Sequence, residues 1–292
     1  MAQIITIINF KGGVGKTTCA TELAAALAKH YGRRTLLVDL DPQASATFYV
    51  MAQDHWHHWQ ETHGTTYTIF DQHQVAIPTR DLIVRDVLGK TTPVFGFDLL
   101  PSSPELVDVD LRLVDFVGYT LLQHRLDEIR DEYDYIICDC PPNFNPVTKN
   151  SLWASDAYIV PTVPDFLSTY GIALLQRSVN KLFALARQPG QPPLFGPVLG
   201  GIILTRIKTN VSLHTQYCKR VRADYPGQVF NHSISDSIYV ASAPDDHIPI
   251  GVIPNPKGHA LDLQEQFKAL AGEFISRILH IRALRKQGIP LA

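Results

Sequence analysis

The sequence predicts an α/β fold, a single domain over residues 1–292 built on a mainly parallel, twisted sheet with helices on both faces. Short, strongly apolar, β-branched runs recur along the chain, and helical segments fall between them. That alternation is the pattern of a sheet buried on both sides. The first such run passes directly into a glycine-rich stretch and then into an Ala- and Leu-rich helix, so strand, loop and helix follow one another at the start. With 292 residues, 45% hydrophobic and 18% charged, the chain has apolar material for one sizeable core.

Taken in order, "QIITIIN" at 3–9 reads as a buried strand. "KTTCATELAAALAKHYG" reads as a helix stopped by Gly32. "RRTLLVDLD" is a second strand, and "DLLPSSPEL" near 98–106 is a third running into a turn. "YDYIICDCPP" is a fourth, closed by two prolines. "DAYIVPTVP" and "GPVLGGIILT" are the fifth and sixth, with "GQVFNHSI" and "PIGVI" as candidate later edges. Helices are expected at 119–131 and 168–187, and a proline-rich surface loop at 188–197. A last helix over 262–286 carries an apolar stripe of Phe267, Leu270, Ala271, Phe274, Ile278 and Ile281, expected to pack on the sheet. Residues 48–97 break the rhythm and are expected to form an exposed or partner-facing insertion with some helix.

A net charge of −2 gives no global basic field, so any contact with nucleic acid needs a local patch. Four scattered cysteines suit a reducing compartment. Cys138 and Cys140, expected on opposite faces of their strand around Asp139, are read as packing residues. No leader and no apolar run of membrane-spanning length is seen, and the expected location is the cytosol. His55, His57, His58, His63 and His73 match no tetrahedral metal spacing. No set of residues suggests nucleophilic catalysis.

The chemistry concentrates in "FKGGVGKT", residues 10–17. It matches G-x-x-x-x-G-K-[ST] with Phe10 in place of the first glycine. Gly12, Gly13, Val14 and Gly15 would wrap their backbone N–H groups around phosphate oxygens, and Lys16 would reach the terminal phosphates. Thr17 would offer its hydroxyl to Mg²⁺, and Thr18 extends the cradle. The helix that follows adds its positive end. ATP and Mg²⁺ are therefore the expected cofactors.

The extra lysine, Lys11, carries a resemblance. K-G-G-x-G-K-T-T resembles the deviant Walker A motif of the ParA/MinD family of ATPases. "LLVDLDPQASAT", "YIICDCPPNFN", "IVPTVPDFLSTYGI", "IILTRI" and "VASAPDDHIPIGV" resemble further family segments, covering about 1–47 and 98–275. "DLDPQ" points to the ParA partition branch. The resemblance implies an ATP-sandwich homodimer in which Lys11 touches the partner's nucleotide. It implies that Asp41 orients the attacking water, that Asp39 sits near the metal shell, and that Asp139 holds Mg²⁺. Thr205 and Arg206 would lie at the nucleotide. Non-specific DNA, a ParB-like or cargo-adaptor activator and a nucleoid-associated location are implied too, with no stable membrane association. The arginines that better-known members use for DNA are replaced here, by Asn210 and Tyr239. Lys208, Lys219, Arg220, Arg222 and Lys257 are the candidate DNA contacts instead.

Overall fold

The structure, a computed structural model, describes residues 1–71, 77–89, 94–111, 119–185, 196–208 and 211–287. His73, Asn210 and most of the 188–197 stretch lie outside the described residues. Each expected apolar run forms a strand: β1 (Gln3–Ile7), β2 (Thr35–Asp39), β3 (Phe97–Leu100), β4 (Tyr135–Asp139), β5 (Ala157–Thr162) and β6 (Val198–Leu204). They form one sheet in the order β3-β2-β4-β1-β5-β6. Every pairing is parallel.

Alternate strand residues feed two cores. Ile5, Ile7, Leu37, Leu99, Ile137, Ile159 and Ile203 point to one face. Ile4, Ile8, Leu36, Val38, Ile136, Val160 and Leu204 point to the other. Continuous apolar runs are needed because both faces are covered. Cys138 and Cys140 both join the second core, which corrects the expectation of opposite faces. Residues two apart in a strand share a face, and Asp139 between them points the other way.

Helix α1 (Lys16–Tyr31) crosses the first face. Its glycine stop is real: Gly32 takes φ 58 and returns its N–H to Ala28. Three short helices follow, α2 (Ser45–Val50), α3 (Gln53–Thr62) and α4 (Thr66–Phe70). They show that the 48–97 segment is anchored rather than appended. Trp56 of α3 is buried and donates its indole N–H to the Ser102 carbonyl at 2.9 Å. Ile69 and Phe70 are also buried. What the sequence presents as an aromatic, histidine-rich insertion is an amphipathic helix with its indole inward and His55, His57 and His58 outward. Among the described residues, no cluster of three His, Cys, Asp or Glu side chains is placed to hold a metal ion.

Helices α5 (Leu121–Asp127), α6 (Pro146–Ala154) and α7 (Phe166–Leu185) cover the second face. Asn145 caps α6 by accepting the Thr148 N–H at 2.8 Å. Helix α8 (Ser212–Asp224) and the short α9 (Ile238–Ser242) follow β6. Of the two expected later edges, the first contributes single bridges, Val229 to Ile202 and Ser235 to Ile207. The second is corrected. Ile250–Val252 is a tight helical turn, because Pro249 enters it and the buried Glu22 carboxylate captures the N–H groups of Ile250 and Gly251.

The final helix, α10 (His259–Lys286), lies on α1 and the sheet with Phe267, Leu270, Ala271, Phe274 and Ile278 buried. Phe274 meets Tyr135 edge-on at 5.3 Å. Truncating it should be felt throughout this face. Phe274→Ala is expected to lower the unfolding free energy by about 3–5 kcal/mol, read by urea denaturation.

Candidate nucleotide site

Three adjacent strands, β2, β4 and β1, end level with one another. Ile7, Asp139 and Asp39 are register partners across them. The loop after β1, the acidic turn after β2 and the end of β4 therefore converge on the carboxyl edge of the sheet, where open α/β sheets bind ligands. They enclose a cavity of about 740 Å³ that also takes in Phe48, Tyr49, Thr205, Arg206 and residues 234–244.

The loop is shaped by tying its carbonyls down. Gly13 and Gly15 adopt φ 71 and 80, a conformation that side chains resist. The Lys11 carbonyl accepts from Lys16 Nζ at 3.3 Å, the Gly13 carbonyl from Arg206 at 3.2 Å, and the Val14 carbonyl from Thr205 Oγ1 at 2.8 Å. Val14 has its side chain in the core and serves the loop by its backbone alone. Gly12, Gly13, Gly15, Lys16, Thr17, Thr18 and Asp41 all line the cavity. With its carbonyls occupied and α1 beginning at Lys16, the loop presents a cradle suited to an anion.

Four charges meet at its floor. Burial lowers the Lys16 pKa, and the carboxylates of Asp139 and Asp41 oppose that shift. Asp39 is fully buried, and burial pushes its carboxyl up to about 7 against hydrogen bonds from Thr47 and Asp41. Both Asp39 oxygens already accept, one from the Asp41 N–H and the other from the Thr47 N–H and hydroxyl. Asp39 is thus placed as a bracket for the 41–47 turn, rather than as an open ligand near the metal shell. Asp139 differs. Burial and the neighbouring Asp39 charge hold its pKa well above normal, while the Thr17 hydroxyl and Lys16 favour its ionised form. Neither Asp139 oxygen makes a well-formed hydrogen bond. A buried carboxylate left open beside a hydroxyl fits a hydrated Mg²⁺, which would satisfy it.

Asp41 lines the wall, with its turn pinned by Gln43 N on its side chain and Ser102 Oγ on its carbonyl. Lys11 is half-exposed and paired with Asp165 of its own chain. Its loop is oriented by Asn9, which accepts the Lys11 N–H and donates to the Pro161 carbonyl. Arg206, at φ 53, pairs with Asp236 at 3.1 Å.

The candidate DNA residues are not gathered into one open patch. Lys208 pairs with Asp236 at 3.5 Å and Arg220 with Asp224 at 3.7 Å. Arg222 is half-buried and donates to the Phe230 and Asn231 carbonyls, which makes it a brace of the fold. Lys219 and Lys257 are exposed. Asn9, Thr47, Ser102, Asp165 and Asp236 were not singled out from sequence. Only Asn9, a polar residue ending an apolar run, carried a local signal.

A glycine loop between strand and helix, with lysine and carboxylates at the sheet's carboxyl edge, defines a P-loop nucleotide-binding protein. Residues 2–188 match the family described as AAA domain. The chain is 30% identical over 274 residues to the sporulation initiation inhibitor protein Soj of Bacillus subtilis, covering 92% of this chain and 99% of Soj. The BB_S35 protein of Borrelia burgdorferi B31, solved with AMPPNP, superposes with a TM-score of 0.68 at 25% identity, covering 96% and 99% of the two chains. The pNOB8 ParA structure with nonspecific DNA shares the fold, at a TM-score of 0.66 and 22% identity over 96% and 99%. The chain belongs to the ParA/MinD superfamily and is a ParA-like positioning ATPase.

The raised Asp39 carboxyl makes a test by pH. The folded protein holds this proton more tightly than the unfolded chain does. Its contribution to stability is fully present below about pH 3.8 and fades as pH rises through about 7. Asp39→Asn should therefore flatten the pH dependence of unfolding free energy between about pH 4 and 7, measured by chemical denaturation.

Proposed function

We propose that this chain is a Mg²⁺-dependent ATPase that closes into a dimer over two ATP molecules, binds DNA without sequence preference in that state, and segregates plasmid or chromosomal DNA. One observation carries the reading: Lys11 directly precedes Gly12, which lines the cavity with Lys16, and its side chain is held by a half-exposed ion pair with Asp165. Such surface pairs are worth about 0–1 kcal/mol, so a partner subunit's triphosphate can compete for this lysine. In the closed dimer Lys11 offsets the charge that develops at the partner's terminal phosphate. Thr17 and Asp139 would hold the Mg²⁺, whose charge would offset that of the phosphates. Asp41 orients the attacking water, and Asp39 fixes the turn that carries it. Thr205 and Arg206 keep the loop's N–H groups facing the nucleotide. Turnover is slow alone and rises with a ParB-like or cargo-adaptor protein that supplies an activating basic group. The protein works in the cytoplasm on the nucleoid.

A second reading keeps the ATPase and replaces DNA cargo with a protein assembly. It is favoured by the basic residues above, of which Lys208, Arg220 and Arg222 are engaged within the chain. A membrane-bound regulator is disfavoured, since the apolar stripe of α10 is spent on α1 and the sheet. Among the described residues no helix is long and apolar enough to cross a membrane.

Lys11→Ala should leave ATP affinity within about threefold of wild type. It should abolish the AMPPNP-dependent doubling of mass in light scattering. A dimer of normal affinity in this variant removes the sandwich. Neutralising Lys208, Lys219 and Arg220 together should weaken ATP-dependent DNA binding and reduce its log–log salt slope by about 2–3. Unaltered binding would place the DNA surface elsewhere.

A further inference from the structure

Glu22 is fully buried in the middle of α1, and no step above uses it. Burying a carboxylate is costly unless donors surround it. Here three do. The Tyr49 hydroxyl donates at 2.9 Å and the Ile250 N–H at 2.8 Å to one oxygen, and the Gly251 N–H donates at 2.7 Å to the other. Burial still pushes this carboxyl up to about 7. A Cβ on Gly251 would stand 3.1 Å from the carboxylate, so the turn approaches Glu22 as closely as a glycine permits.

Of the three donors, Tyr49 lines the apolar end of the cavity, and Ile250 and Gly251 belong to the turn that follows its other wall in the chain. Phe48 and Tyr49 of α2 form one wall, and Val240, Ala241 and Pro244 form the other. His247, just beyond that second wall, donates from Nδ1 to the Phe48 carbonyl at 2.7 Å. The 250–252 turn is anchored further, with the Gly251 carbonyl accepting from His30 and the Val252 carbonyl from Lys29. Glu22, Lys29 and His30, which hold this turn, all sit on α1, the helix that starts at Lys16. Glu22 lies fewer than two turns from that lysine.

We propose that Glu22 is the positioning residue for the base end of the nucleotide cavity: its carboxylate ties Tyr49 on one apolar wall, and the 250–252 turn that follows the other wall, to the helix that begins at the phosphate cradle, and so sets the gap that receives a purine ring. The inference rests on the nucleotide reading of the cavity. A carboxylate is required because all three neighbours donate and a glutamine would turn an NH₂ toward one of them. The role is distinct from mere support of the fold, because it acts on the base and leaves the phosphates alone.

Calorimetric titration of ATP and of inorganic triphosphate, each with Mg²⁺, separates the two. Glu22→Gln should weaken ATP by about tenfold and change triphosphate by less than about twofold. Tyr49→Phe, which removes one donor and keeps the ring, should weaken ATP by about threefold with triphosphate again unchanged. Equal losses for both ligands, or no loss for either, overturn the proposal. Should Glu22→Gln fail to fold by circular dichroism, Tyr49→Phe decides on the same criterion. Lys16→Ala should lose both ligands. Retention of both in that variant defeats the nucleotide reading itself, an outcome separate from failure of the clamp.

Discussion

Asp139 is fully buried at the end of the central strand β4, in register with Asp39 on one side and with the last residue of β1 on the other. Burial out of water pushes both carboxyl pKa values up, and for Asp139 the neighbouring Asp39 charge adds to the rise. Much of the surrounding architecture answers that constraint. The Asp39 carboxyl is satisfied from within by Thr47 and by the backbone of its own turn. Asp139 is left open, faced by the Lys16 ammonium and the Thr17 hydroxyl.

Parallel pairing makes the convergence possible. All six strands run the same way, so their carboxyl ends lie along one edge and each following loop begins there. Helix α1 then leaves the phosphate loop and runs down one face. It buries an Ala- and Leu-rich surface against the sheet and α10. Two functions share this rod. Its first residue is the cavity lysine, and its centre holds a carboxylate hydrogen-bonded to Tyr49 of α2 and to the 250–252 turn.

Most of the strand–helix order was legible in the sequence, because β-branched runs with no polar face admit few arrangements other than a sheet covered on both sides. The phosphate loop was legible for the same local reason: glycine spacing, lysine and hydroxyl are a property of consecutive residues. The failures were of a different kind. "PIGVI" has the composition of a strand, yet a carboxylate 228 residues earlier captures its N–H groups and coils it into a turn. "QDHWHHWQETHG" has the look of an exposed insertion, yet one of its indoles is needed in the core.

The sequence by itself determined the fold class, the order of the strands along the chain, and the glycine, lysine and hydroxyl pattern of the loop after β1, since these follow from short-range periodicity and from chemistry carried by neighbours. Tertiary structure alone decided which carboxylate is satisfied and which is open, that Lys11 rests on Asp165, that Arg222 braces the fold, and that Glu22 joins α2 to the 250–252 turn. Each of those outcomes depends on hydrogen-bond donors brought together from distant parts of the chain, and no local pattern records which donor a buried charge will meet.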